Sequence, residues 1–264
     1  MLEMFSYSFI LKAIIAGALI TLCCSLLGVT LVLKRYSMIG DGLSHVGFGA
    51  LAVASVFNLP PLLITIPIVI IAAFLLIGIS DSKKIKGDSA IALISTGSLA
   101  LGVIIISVFS NNNSELSNYL FGSILAISNF ELWLSVILCV FVVLIYLFFF
   151  NKIFAVTFDE TFSRAIGMKT TLYNSVLAIL TALTVVLGMK MMGSLLISAL
   201  IIFPTLISLR IFKTFFSVTL ASVLFSFFSF FLGFFISYVF EFPTGATIVA
   251  VNLIIYILAS IFKR

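Results

Sequence analysis

The chain alternates long apolar stretches with short polar ones. A helix that crosses a bilayer needs about 20 mostly apolar residues, within a range of about 17–25. Nine stretches fit: residues 9–33, 41–58, 61–79, 90–110, 131–150, 171–189, 192–209, 214–240 and 244–262. The pattern therefore predicts nine spanning helices, or eight if the tight hairpin around Lys190 hides a single one. The second stretch is the least apolar and holds Asp41, Ser44 and His45. The first run exceeds the roughly 7–15 apolar residues of a secretory signal, and no small-x-small cleavage pattern follows it, so it reads as a span. Pro67 and Pro204 fall inside spans, where neighbouring groups can satisfy the freed carbonyls. No internal repeat is apparent.

The charges between the runs orient them. If the N-terminus lies outside, the inner segments hold Lys34, Arg35, Lys83, Lys84, Lys86, Lys152, Arg164, Lys169, Arg210, Lys213, Lys263 and Arg264. That is 12 of the 14 basic residues, and only Lys12 and Lys190 are left outside. Cytoplasmic loops are enriched in Lys and Arg, so this orientation is the expected one, with a cytoplasmic C-terminus. Glu3, Glu115, Glu131 and Glu241 then lie outside. No loop is long enough to form a domain of its own. One transmembrane domain over residues 1–264 is expected, with its longest inner connector at 151–170.

Composition agrees. The chain of 264 residues is 63% hydrophobic and 9% charged, against about 45–50% and 25% in a soluble domain. It cannot coat a water-soluble globule, which excludes a soluble enzyme, a disordered chain and a nucleic-acid-binding domain. Its net charge of +5 serves topology rather than nucleic acid. Cys23, Cys24 and Cys139 sit in apolar runs, where a thiol acts as a small hydrophobe.

One polar constellation lies at membrane depth. Asp41 and His45, the only histidine, are i and i+4 and share a helix face. Ionisable groups inside spans are expensive and usually mark a pathway. A carboxylate with an imidazole suits a divalent transition ion. Two ligands are too few for a metal site, which needs three plus water or four. A two-fold pair of chains would double them, and Gly42, Gly47, Gly49 and Ala50 would let such a helix approach a partner closely. The alternatives are that Asp41 caps the helix and that His45 is a satisfied bundle histidine. A protease built on Ser44 and His45 is disfavoured, because adjacent residues face apart.

Within the connector, residues 158–167 are expected to form a short helix. Phe158, Phe162, Ala165 and Ile166 fall on one face, Asp159 and Glu160 stand at the N-terminal end, and Gly167 stops it. So short a helix is marginal alone and needs a surface, its own membrane domain or a partner. No Gly-Lys dipeptide occurs, so the chain has no P-loop and any ATPase is a separate subunit.

At these residues the sequence resembles the membrane permeases of bacterial ABC importers for zinc, manganese and iron, the ABC-3 type. The likeness runs through Leu33-Lys34-Arg35-Tyr36-Ser37-Met38-Ile39-Gly40-Asp41-Gly42-Leu43-Ser44-His45, then Ile85-Lys86-Gly87-Asp88-Ser89-Ala90 and Leu120-Phe121-Gly122-Ser123-Ile124-Leu125. It continues in Phe158-Asp159-Glu160 with Ala165-Ile166-Gly167, and ends in Pro243-Thr244-Gly245. The resemblance implies an all-α polytopic membrane bundle of the vitamin B12-importer-like (type II ABC importer) class, and a transport subunit rather than an enzyme. It implies a homodimer, two cytoplasmic ATPase subunits and an extracytoplasmic metal-binding protein. By the same resemblance Asp41 and His45 are metal ligands of the pathway, while Phe158, Asp159, Glu160, Phe162, Arg164 and Gly167 couple to the ATPase. No permanently bound cofactor is implied, only a transported divalent ion. The imidazole inclines the reading to zinc, with manganese or iron as alternatives. An iron-chelate permease, or an ATP-independent secondary transporter, is the more distant rival. Glu115 or Glu241 would be docking positions for the binding protein, or plain loop charges.

Overall fold

A computed structural model of the chain describes residues 8–80, 87–109 and 128–262. The helices are α1 Ser8–Leu33, α2 Ile39–Val56, α3 Pro61–Ser80, α4 Gly87–Phe109, α5 Asn129–Phe148, α6 Phe150–Phe158, α7 Glu160–Ala165, α8 Thr170–Met192, α9 Ser194–Ile211, α10 Phe215–Phe240 and α11 Thr244–Phe262. Among the described residues nine of these are long and apolar enough to cross a membrane, all except α6 and α7. The protein is an all-helical membrane protein.

The eight-span alternative fails at one residue. Gly193, at φ +87°, separates α8 from α9. α8 runs antiparallel to α1, with Asn174 beside Lys34 at one end and Gly188 beside Ile20 at the other. α9 instead runs with α1, since Ile197 and Ile20 both meet Gly188 and, further along both helices, Gly28 lies against Ile201 and Thr205. Only a left-handed residue turns the chain this abruptly, and glycine adopts that conformation at little cost.

The spans form an inner and an outer set. α1, α2, α8 and α9 have more than half of their residues buried, whereas α3, α4, α5, α10 and α11 have a third or less. Every span except α2 is apolar all round, as a helix between protein and lipid must be. What separates the inner set is small residues at the crossings. A Cβ at Gly28 would collide with the Ile201 carbonyl, and one at Gly188 with the Ile197 side chain. Lipid is as apolar as leucine, so close backbone approach and dispersion hold such helices together. Across this interior Ile20, Cys24, Leu31, Leu43, Val185 and Leu200 belong to one buried cluster.

The two ends of the bundle differ. One carries Lys34, Arg35, Lys152, Arg164, Lys169, Arg210 and Lys213 around the ends of α1, α5, α7, α8 and α9. At the other, Lys190 is neutralised by Glu131, with Nζ 2.6 Å from Oε1. Glu131 also closes a capping box with Ser128 at the start of α5, which ties α5 to the α8–α9 turn. The outer-loop stretch 111–118 with Glu115, the block 120–125, Glu3, Lys83, Lys84, Ile85, Lys86, Lys263 and Arg264 lie outside the described residues.

Candidate functional site

α2 is the helix that carries the chemistry. It begins at Ile39, after a turn in which Arg35 takes a left-handed conformation (φ +63°) and Ile39 donates to the Tyr36 carbonyl. Met38 is the residue before the helix, and no side chain caps it. Asp41 therefore does not serve as the cap. Its carboxylate instead meets α9, where the Ser198 hydroxyl donates to Oδ1 at 3.1 Å, and faces His45, with Oδ2 3.6 Å from Nε2. Gly40 packs on Ile201 of the same helix, which sets Asp41 beside the middle of α9 rather than at its end.

The two predicted ligands thus come together, one turn apart. Ser198 was not legible beforehand, because it lies 157 positions away and looks like any other span serine. The opposite Asp41 oxygen is left to the imidazole. The His45 Nδ1 is buried and has no hydrogen-bond partner, an unusual state for a buried polar atom. Ser44 is fully buried and donates to the Asp41 carbonyl, so it does not face the imidazole. Among the described residues no three His, Cys, Asp or Glu side chains gather, and Cys23, Cys24 and Cys139 are buried elsewhere in the bundle.

Burial along α2 and α9 explains the geometry. On α2 every residue up to Ala54 is buried except Asp41, His45, Gly49 and Val53, a stripe at i, i+4 spacing, and only Ser55 and Val56 at the helix end are also half-buried. On α9 the half-open positions include Ser198, Ile202, Leu206 and Leu209, again on one face. The Asp41 side chain keeps 35% of its surface exposed and that of His45 keeps 20%. The small residues of α2 are spent inside this chain. Gly42 packs on Ile91 and Leu76, Gly47 on Met189, Gly49 on the Ser98 carbonyl, and Ala50 is buried. They bring α3, α4 and α8 close, where a second copy was expected. What they leave open is the polar stripe.

The connector is built differently from the expected single helix. Asp159 is extended (φ −145°, ψ 94°) and breaks it, so that Phe158 ends α6 and α7 begins at Glu160. Asp159 caps α7 by accepting from the Phe162 N–H at 2.8 Å, and that bond, with one from Thr161, holds its carboxyl below the usual range. Gly167 ends the turn at φ +83°. Glu160 points inward. Its carboxylate takes the Lys34 ammonium at 3.2 Å, the Asn174 amide at 3.2 Å and the Arg164 guanidinium at 3.1 Å. Burial alone would raise its pKa, but the Asn174 amide and the Lys34 ammonium outweigh it and hold the carboxyl below its ordinary value. Lys34 also donates to Asn174 and is nearly buried. The side chains of Phe162, Ile166 and Arg164 point outward and are exposed, whereas Phe158, though exposed, meets the rings of Phe154 at 4.8 Å and Phe215 at 6.3 Å.

Among the described residues, nine candidate spans thus surround a half-open carboxylate–imidazole pair and carry a connector with exposed apolar side chains. Residues 6–263 match the ABC 3 transport family, and the chain belongs to it. It is similar to a manganese import system permease protein of Streptococcus gordonii, at 29% identity over 96% of this chain and 91% of that one. It is also similar to a probable iron transport system membrane protein of Haemophilus influenzae, at 28% identity over 100% and 93%. Among solved structures it resembles PsaBC from Streptococcus pneumoniae in complex with Fab, with TM-score 0.85, 27% identity and coverage of 96% and 91%. It shares its fold with a metal-chelate type ABC transporter in an inward-facing conformation, with TM-score 0.68, 16% identity and coverage of 96% and 82%. The protein is therefore a multi-pass membrane permease subunit of an ABC metal importer and not its ATPase. Membership of such a system implies an ATPase subunit and a metal-binding protein as partners.

Proposed function

We propose that the chain carries manganese, with iron as the second cargo, and that two copies form the conduit with their Asp41–His45 stripes facing each other. The observation that supports this is the half-open stripe in which Asp41, His45 and Ser198 meet at the middle of α9. A carboxylate cannot be left to lipid, and the rest of α2 is already buried, so a polar partner is needed there. A second copy supplies one, and doubles two ligands to four. Carboxylate, hydroxyl and water oxygens suit manganese, imidazole admits iron, and no thiolate is near to favour a softer ion. The names of the related permeases point the same way, and the zinc inclination of the lone imidazole gives way to manganese.

The mechanism follows from the charges. The basic end faces the cytoplasm, and with it the C-terminus. A loaded binding protein delivers the ion at the opposite end. Asp41 and His45 replace part of its water shell, and their sparse ligation lets it leave again, as conduction through a site requires. Phe158, Phe162 and Arg164 meet the ATPase, and Asp159 and Gly167 shape the turn that presents them. Glu160 passes the movement to Lys34, which stands seven residues before Asp41 in the turn leading to α2. Both ligands must be free of protons to bind metal, so uptake falls in acid.

The test is uptake of radioactive manganese in cells lacking the chromosomal copy and expressing this chain with its partner subunits. Excess unlabelled manganese should compete fully, iron partly and zinc least. Uptake of zinc with no manganese uptake overturns the cargo assignment. A C-terminal cysteine tag that reacts with an impermeant maleimide on intact cells overturns the orientation.

A further inference from the structure

A cavity opens at the basic end, away from the α2 stripe. It has a volume of about 470 Å³ and lies between α6, the 167–169 turn and the start of α8. Asn151, Lys152, Gly167, Lys169, Leu172 and Tyr173 line it, and no carboxylate does. Among the described residues neither lysine makes an ion pair, whereas Lys34 and Lys190 are both neutralised. The Lys152 ammonium lies 5.9 Å from the centre of the Phe149 ring and 6.0 Å from that of Tyr173. The aromatic wall thus holds the charge in place without cancelling it.

The same wall leads to the lipid-facing surface. Tyr173 meets Phe149 edge-on at 5.6 Å, and Phe149 meets Phe148 at 4.9 Å. Phe148 is 81% exposed, Leu144 and Leu147 of the same helix are exposed too, and so is Leu172 at the cavity. Two uncompensated cations thus sit where α5 leaves the hydrocarbon, next to an unpartnered apolar surface. That pairing of charge with an apolar strip fits an anionic phospholipid. Basic pockets at the cytoplasmic ends of spans bind such headgroups.

We propose that this cavity is a headgroup site for an anionic phospholipid of the inner leaflet. Lys152 and Lys169 take the phosphate, and the apolar side chains of α5 and α8 line the acyl chains. The leaflet assignment rests on the proposed cytoplasmic placement of the basic end; the binding itself does not.

The experiment uses the full-length chain purified in detergent and titrated with phosphatidylglycerol, phosphatidylcholine or inorganic phosphate, bound lipid being counted by native mass spectrometry. Phosphatidylglycerol should be retained in preference to phosphatidylcholine. At roughly a fivefold contribution per lysine near a charged lipid, K152Q and K169Q should each weaken retention about fivefold and the double variant about 30-fold. The K152R/K169R variant should retain it, and K190Q, whose lysine pairs with Glu131 at the far end, should be unaffected. Equal retention of phosphatidylcholine, or an unchanged double variant, overturns the proposal. Binding of inorganic phosphate that phosphatidylglycerol fails to displace also overturns it, in favour of a free-anion site. Because retention in detergent is independent of membrane orientation, failure here is distinguishable from failure of the cytoplasmic assignment, which maleimide labelling reads separately.

Discussion

The α2 stripe and the connector each gather charge around a carboxylate, yet they satisfy it to opposite degrees. Glu160 receives an ammonium, an amide and a guanidinium, and the Lys34 that feeds it is nearly buried. Asp41 receives one hydroxyl and a 3.6 Å approach from His45, whose other nitrogen has no partner. Buried polar groups in native proteins are ordinarily paired. On the proposed mechanism, incomplete pairing inside the membrane keeps a place for an ion that arrives and leaves, and complete pairing at the connector makes a joint that moves as one piece.

The comparison breaks most sharply at the stripe. Asp41→Ala or His45→Ala is expected to bring metal uptake to background, while the variant accumulates in the membrane at the level of the native chain. Uptake near normal in either would remove the pathway role. Phe162→Asp comes next. The side chain is exposed, so the thermal midpoint of the purified chain should stay within a few degrees. ATP-driven uptake should be lost, because the ATPase detaches or turns over without transport, and an intact, coupled complex would leave α7 as a plain surface turn.

Glu160→Ala should act on stability first. It strands a nearly buried ammonium, a loss of roughly 1–3 kcal/mol once partial solvent screening of the half-buried carboxylate is allowed for. A melt of the purified chain would register this, and the double variant Lys34→Met, Glu160→Leu should recover much of it. Because the Glu160 carboxyl is held below its ordinary value, the pairing is complete at neutral pH. It is lost only as pH falls below the ordinary carboxylate range, so melts at pH 7 and pH 6 should coincide. The smallest effect is expected at Ser198. Removing the hydrogen bond to the Asp41 carboxylate, worth about 1.5 kcal/mol, should weaken uptake about tenfold in Ser198→Ala and much less in Ser198→Thr. A loss as large as that of Asp41→Ala would make the hydroxyl a ligand in its own right.

Much of this architecture was legible in the sequence. The nine apolar runs match the nine spans within a few residues, because hydrocarbon thickness dictates helix length. Asp41 and His45 were legible as a pair because i, i+4 spacing on a helix is a local geometric fact. The connector was read as one helix over 158–167, where the structure has a break at Asp159 and a helix over Glu160–Ala165. Asp159 looked like the first turn of a helix that includes Phe158, but its side chain serves better as a cap, and the cap interrupts the helix. The glycines of α2 were misassigned to a partner, since sequence tells that a face is small and not which neighbour fills it.

The sequence alone determined what the bilayer acts on: the positions and lengths of the apolar runs, the bias of basic residues to one end and the turn spacing of the ionisable pair. These depend on composition within about 20 consecutive residues. Only the tertiary structure decided which faces of uniformly apolar helices meet, that Ser198 reaches Asp41 across 157 positions, that Glu160 turns inward to Lys34, and that two lysines share an open cavity. In spans with no polar face, hydropathy carries no such information. Contact choice rests on shape and on the few polar side chains, and those resolve only when all the helices pack together.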